Sequence, residues 1–171
     1  MSSLFTHVFI PVAILLIFSK ELKFDPRNIL ILSFFALLPD ADAIFLPHRA
    51  MLHNILMIVI PFLLFILVKS KREIFSIIFF FLASHLLLDL FDGGIFLFYP
   101  FYDSVFFARV ELLFTMETIK PVLDYGISDQ IMNNGRGEPM ISSENIVVAF
   151  LLMVFSVLVI ILRKMKRTSQ T

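Results

Sequence analysis

Ala83-Ser84-His85-Leu86-Leu87-Leu88-Asp89-Leu90-Phe91-Asp92 sets an imidazole and a carboxylate four residues apart near the end of a run otherwise suited to lipid. Positions i and i+4 of a helix share one face about a turn apart, so His85 and Asp89 aim at a common point. That point wants a cation. From Ile74 to Phe91 the only other polar residues are Ser76 and Ser84. An unpaired ionisable group in hydrocarbon costs on the order of several kcal/mol, so the rest of the chain must supply something that offsets it.

Of the 171 residues, 59% are hydrophobic and 22 are Phe, the composition of a membrane protein. Apolar runs divided by short charged segments predict an all-α, polytopic membrane helical bundle, a single membrane domain over 1–171. The formal net charge of zero leaves no basic face able to replace counterions along a phosphate backbone, which argues against a nucleic-acid partner. The absence of Cys excludes disulfides and thiolate metal sites, leaving His, Asp and Glu as possible ligands. Met1 to His7 lacks the positive flank of a secretory signal, so the first apolar run counts as part of the mature protein.

Leu4 to Phe18 reads as helix one. Asp25-Pro26 is an N-cap followed by proline at the first helical position, opening a second helix that runs through Ile29 to Leu38 and stops at Pro39. At about 1.5 Å per residue this second helix reaches only about 20 Å, short of the roughly 30 Å hydrocarbon core, so its far end is expected below the membrane surface. Ala50 to Val68 is helix three, with Pro61 as a kink. Ile74 to Phe91 is helix four, ended by Gly93-Gly94. About 92–145 reads as an extramembrane or interfacial cap: Phe96 to Phe101 is aromatic, Val105 to Val122 partly amphipathic, and Asn133 to Pro139 turn-rich. Ile146 to Leu162 is a last transmembrane helix, which makes about five spans.

Lys20, Lys23 and Arg27, then Lys69, Lys71 and Arg72, then the basic tail from Arg163 to Arg167 fall on one side of a five-span chain. The positive-inside tendency makes that side cytoplasmic in a multi-pass inner-membrane protein with its N-terminus outside and its C-terminus inside. His7, Asp40, Asp42, His48, His53, His85 and Asp89 then lie at the outer ends of their helices. A topology fixed by Lys and Arg alone has gathered all four histidines of the chain in one layer.

Two divalent ions a few ångströms apart need about six to eight ligands, with positions left for water. His7, Asp40, Asp42, His53, His85 and Asp89 match that demand in type and number. His48, five residues from His53, falls on another face of a continuous helix and is better placed to face a substrate. Such a centre suits hydrolysis, most naturally of a phosphoester, with Arg49 beside the ligands, and Arg109 in the cap, placed to brace a phosphate. Asp40, Asp42, His48 and Arg49 are therefore the candidate catalytic residues. Each has a plainer reading when taken alone: a buried His is commonly a hydrogen-bonded core residue, and His85 with Asp89 could be a self-satisfied pair joining helices. Together they read as a metal site.

Through His7, Leu38-Pro39-Asp40-Ala41-Asp42, His48-Arg49 with His53 behind it, Ser84-His85-Leu86-Leu87-Leu88-Asp89, Gly94 and Tyr99-Pro100, the chain resembles the YdjM-type inner-membrane proteins, described as membrane-bound metal-dependent hydrolases. The resemblance covers roughly residues 7 to 107. That family is distantly similar to the zinc-dependent phospholipase C and P1 nuclease group, whose metal sites also use His-x-x-x-Asp on one helix. By that likeness His53, His85, Asp89 and one of Asp40 and Asp42 hold one ion, and His7 helps to hold another. Zinc is the first candidate metal, with manganese or magnesium also open. The chain departs from the family pattern at Asn54, where a small hydroxyl residue is usual, and at Asp92.

The leading expectation is thus a membrane-embedded metal-dependent hydrolase, a phosphoesterase acting among membrane lipids on a lipid or other amphiphilic phosphoester. Two rivals stand beside it. A metal-ion or proton transporter would carry ionisable residues through the full membrane depth, and a non-enzymatic scaffold would use the metal as a structural staple.

Overall fold

A computed structural model describes residues 4–44, 52–114 and 119–131 of the chain, together with 150 and 154. Its elements in chain order are α1 (Leu4–Leu22), α2 (Pro26–Leu32), two short 3₁₀ segments (Ser33–Leu37 and Pro39–Ile44), α3 (Leu56–Leu67), a 3₁₀ turn (Lys69–Lys71), α4 (Arg72–Asp92), β1 (Val105–Phe114) and β2 (Ile119–Ser128). Asp25 caps α2 as its sequence demands, its carboxylate accepting from the N–H of Arg27 at 2.9 Å with Pro26 in the first turn.

The helix expected to run to Leu38 is α-helical only to Leu32 and continues as 3₁₀. Leu38 keeps αR angles (φ −60°, ψ −40°), but Pro39 has no N–H to donate, so the regular ladder cannot pass through it. Helix three also starts later than Ala50: residues 52–54 form a bend, and the helix begins at Leu56. Asn54 sets that start, because its side-chain oxygen accepts from the N–H of Leu56 at 2.9 Å.

Around α4 the other elements assemble, since it touches α1, α2, α3, the 3₁₀ segments and β1. One stripe of this helix, at Ile77, Phe81, His85 and Asp89, is buried along its whole length. Leu15 of α1, Ile29 of α2 and Ala36 pack with Ile77 and Phe81 to make the core. At the start of α4, Glu73 ties down the α1–α2 loop, accepting from the N–H of Asp25 at 2.7 Å and from the Asn28 amide at 3.0 Å. The basic loops after α1 and α3 therefore share one end of the bundle, and His85 and Asp89 lie toward the other.

The all-helical expectation fails in the cap. β1 and β2 pair antiparallel, with Arg109 opposite Asp124 and Glu111 opposite Val122. Their Val, Ile, Phe and Tyr content fits a pleated ribbon better than a helix. The hairpin is stitched to the end of α4 by a bridge in which Ile95 and Phe106 exchange N–H···O bonds of 2.9 Å. Gly94 makes that approach possible with a φ of +89°; a Cβ there would stand 2.5 Å from Val105 Cγ1 and 2.8 Å from the Phe106 carbonyl oxygen.

Among the described residues, two helices are long and apolar enough to cross a membrane, Phe5–Leu22 and Lys69–Asp92, while α3 has 12 residues. The expected last helix at 146–162, the turn-rich 133–139 stretch, His48 and Arg49 lie outside the described residues.

Gly94→Ala is expected to destabilise the protein by about 1–3 kcal/mol, since it combines a strained backbone with a clash against β1. Thermal unfolding in detergent micelles measures it, and an unchanged midpoint would show that the bridge tolerates a side chain.

Candidate metal centre

His85 leaves α4 from the buried stripe one turn before Asp89. Its Nδ1–H donates to the carbonyl oxygen of Ala36 at 2.6 Å. A carbonyl only accepts, so the proton sits on Nδ1 and the Nε2 of the neutral ring presents a lone pair to the interior. The Ala36 carbonyl is available for a structural reason. In a 3₁₀ segment it would look to the N–H of residue 39, and residue 39 is proline.

Around His85 Nε2 stand three further donor atoms. His53 Nε2 is 3.2 Å away, Asp89 Oδ2 3.2 Å and Asp40 Oδ1 3.5 Å. His53 Nε2 is in turn 3.0 Å from Asp89 Oδ2 and 3.6 Å from Asp40 Oδ1. Four groups from three separate segments thus offer one atom each, all within 4.8 Å of one another. Ligand atoms around a tetrahedral ion with bonds of about 2.0–2.1 Å stand about 3.3 Å apart. Five of the six separations in this set, from 3.0 to 3.6 Å, bracket that value. The donor chemistry fits too, since lone pairs and carboxylates so crowded need a cation among them. These residues are able to hold a divalent ion.

His53 is fixed from behind by its neighbours: the N–H of Ile55 donates to the Leu97 carbonyl at 2.9 Å, and Asn54 holds the start of α3. Asp40 stands on the 3₁₀ turn just after Pro39. Burial opposes its ionisation, but His53 and His85, when protonated, donate to it and override that effect, holding its carboxyl well below the usual carboxylate range; with the rings neutral, a bound cation would take over that role. Exposure separates the four. His53, His85 and Asp89 are at most 2% exposed, whereas Asp40 is 20% exposed and forms the open side.

His7 comes from the first turns of α1 and meets the outer oxygen of Asp89, with Nε2 3.4 Å from Oδ1. Its ring stacks on that of His85 at a centroid distance of 4.0 Å. His7 therefore borders the four-group set without entering it. Of the other sequence candidates, Asp42 lies on the same 3₁₀ turn as Asp40, and His48 and Arg49 lie outside the described residues. Asp92 ends α4 and is not one of the four groups, and Arg109 sits on β1 opposite Asp124.

The model of the YdjM inner membrane protein family matches residues 1–169. The chain belongs to that family. The match extends well past the 7–107 stretch that carries the motif resemblance, and so takes in the hairpin and the C-terminal segment of this YdjM protein. No curated protein and no solved structure matches the chain.

Two groups of the site were missed by sequence reasoning. The Ala36 carbonyl has no side-chain signature, although Pro39 three residues on is the sign that it is freed. Asn54 reads from sequence as a departure from the family pattern, yet its side chain accepts from the amide two residues on, as a small hydroxyl would. Equilibrium dialysis with metal analysis tests the arrangement. His85→Ala is expected to lose bound zinc, and Pro39→Ala, which gives residue 39 an N–H to compete for the Ala36 carbonyl, to weaken zinc affinity about tenfold.

Proposed function

We propose that this YdjM family protein is a membrane-embedded metal-dependent hydrolase, a phosphoesterase acting on a lipid or lipid-linked substrate. The observation that carries the reading is the convergence of Asp40, His53, His85 and Asp89 on one small volume, with Asp40 on its open side. A divalent ion held by these four, zinc first among the candidates, would supply Lewis acidity and lower the pKa of water near it.

The protein groups divide the remaining work. Ala36 fixes the tautomer and the orientation of His85. His7 bears on the outer oxygen of Asp89 and leaves the inner one to the site. Asp40 forms the open side as the acid nearest an incoming substrate, and Asp42, His48 and Arg49 follow it in the chain as the residues proposed to act on the water and the phosphate. Siting this turn and the α4 end at the outer face, with the N-terminus outside, places the centre where an amphiphile can reach it from the membrane. The lipid assignment follows from that depth.

A transporter needs polar groups along a path. The core beyond the cluster is instead Leu15, Ile29, Ala36, Ile77 and Phe81, which gives an ion no relay. A structural staple needs four equivalent, enclosed ligands, and the exposure of Asp40 speaks against enclosure.

The zinc-loaded protein in detergent, offered a panel of phospholipids and generic phosphodiesters, is expected to release product, and His85→Ala to lose more than about 100-fold of that rate. No product from wild type, with zinc binding unchanged in His85→Ala, would overturn the proposal.

A further inference from the structure

At the end of the bundle away from the metal centre, a cavity of about 420 Å³ opens between α1, α3 and α4. Phe18 of α1, Phe62 and Phe65 of α3, and Phe79 and Phe80 of α4 line it. Phe18 stands eleven residues past His7, and Ser76, also in the wall, nine residues before His85. At about 1.5 Å per residue the wall begins about 8 Å along the bundle from the metal centre, at Phe80, and extends to about 16 Å, and it includes none of the four metal-centre groups.

Its size is that of a single-ligand pocket, and among the described residues the polar side chains in the wall are Ser76 and Glu21. A polar solute would lose its hydrogen bonds there, whereas hydrocarbon loses nothing. The mouth is different. Lys20 and Lys23 flank wall residues of the α1 end, and Lys69, Lys71 and Arg72 lie on the loop that follows Phe65. The Arg72 guanidinium is anchored over the Phe65 ring, 5.5 Å from its centroid. Of the nearby carboxylates, Asp25 accepts from the N–H of Arg27, Glu73 accepts from Asp25 and Asn28, and Glu21 stands in the wall, so the five basic side chains outnumber them. An apolar slot under a basic rim is complementary to one kind of molecule, a fatty chain joined to an anionic head.

We propose that this cavity holds an acyl chain of an anionic phospholipid, whose phosphate rests against the Lys20–Lys23 and Lys69–Arg72 loops. The inference is independent of the hydrolase reading and concerns the opposite end of the bundle.

Native mass spectrometry of the full-length protein, released from detergent after titration with dioleoylphosphatidylglycerol or dioleoylphosphatidylcholine, tests it. Wild type is expected to retain one phosphatidylglycerol with about tenfold preference over phosphatidylcholine. The triple variant Lys69→Gln, Lys71→Gln, Arg72→Gln is expected to lose the preference, and Ser76→Phe, which fills the slot, to lose retention of both lipids. Zinc stoichiometry reports folding in each variant, and Ile14→Phe narrows the slot from the α1 side should Ser76→Phe fail to fold. Equal retention of the two lipids by wild type, or wild-type retention in a folded slot-filling variant, would overturn the proposal. So would retention of neither lipid, the result expected if residues 146–162 or a second copy close the cavity.

Discussion

Burying two carboxylates among imidazoles at one end of an apolar bundle is the constraint from which the rest of the structure follows. In water such groups are solvated; inside a packed core each must find a partner or a counter-charge, or it destabilises the fold by several kcal/mol. Asp89 resolves this by using both of its oxygens, one toward His7 of α1 and one toward His53 and His85. Three segments distant in sequence are drawn to one carboxylate. Because lipid is as apolar as the helix surfaces, burial of Leu and Phe gives helices little reason to choose one register over another. The polar cluster supplies that choice: shifting α4 by a residue would carry Asp89 off the stripe it shares with Ile77, Phe81 and His85.

Rigid backbone stands behind each ligand. Pro39 interrupts the helix, and the interruption both frees the Ala36 carbonyl for His85 and starts the turn that bears Asp40. Asn54 and the Ile55 contact to Leu97 do the equivalent for His53. Of the four groups, Asp40 alone is appreciably exposed, so the open side of the centre lies along the 3₁₀ turn. The far end of the same bundle carries the opposite character, a Phe-lined slot under basic loops. One α4 helix thus links an acidic, metal-suited end to a basic, lipid-suited one.

Much of this was legible in the sequence because periodicity reports on helix faces. The spacing of His85 and Asp89, the Asp25-Pro26 cap, the Gly93-Gly94 stop and the grouping of His7, His53 and Asp40 at one end all rest on residue types with narrow physical uses. The hairpin was not legible. Phe106 and Phe107, adjacent on the strand, place apolar side chains on both faces, and Leu123, Tyr125 and Ile127 are exposed, so neither the period-2 nor the 3.6 pattern stands out. The late start of α3 was hidden for another reason: residues from Ala50 onward are apolar enough to continue a helix, and a single side-chain hydrogen bond from Asn54 decides where it begins.

X-ray absorption at the zinc edge of the full-length, zinc-loaded protein asks most directly whether these side chains meet on one ion. The account predicts a shell of about four nitrogen and oxygen ligands at about 2.0–2.1 Å that includes the multiple-scattering pattern of two imidazoles. A shell without imidazole, or one unchanged when His53 and His85 are both replaced by Ala, would contradict it.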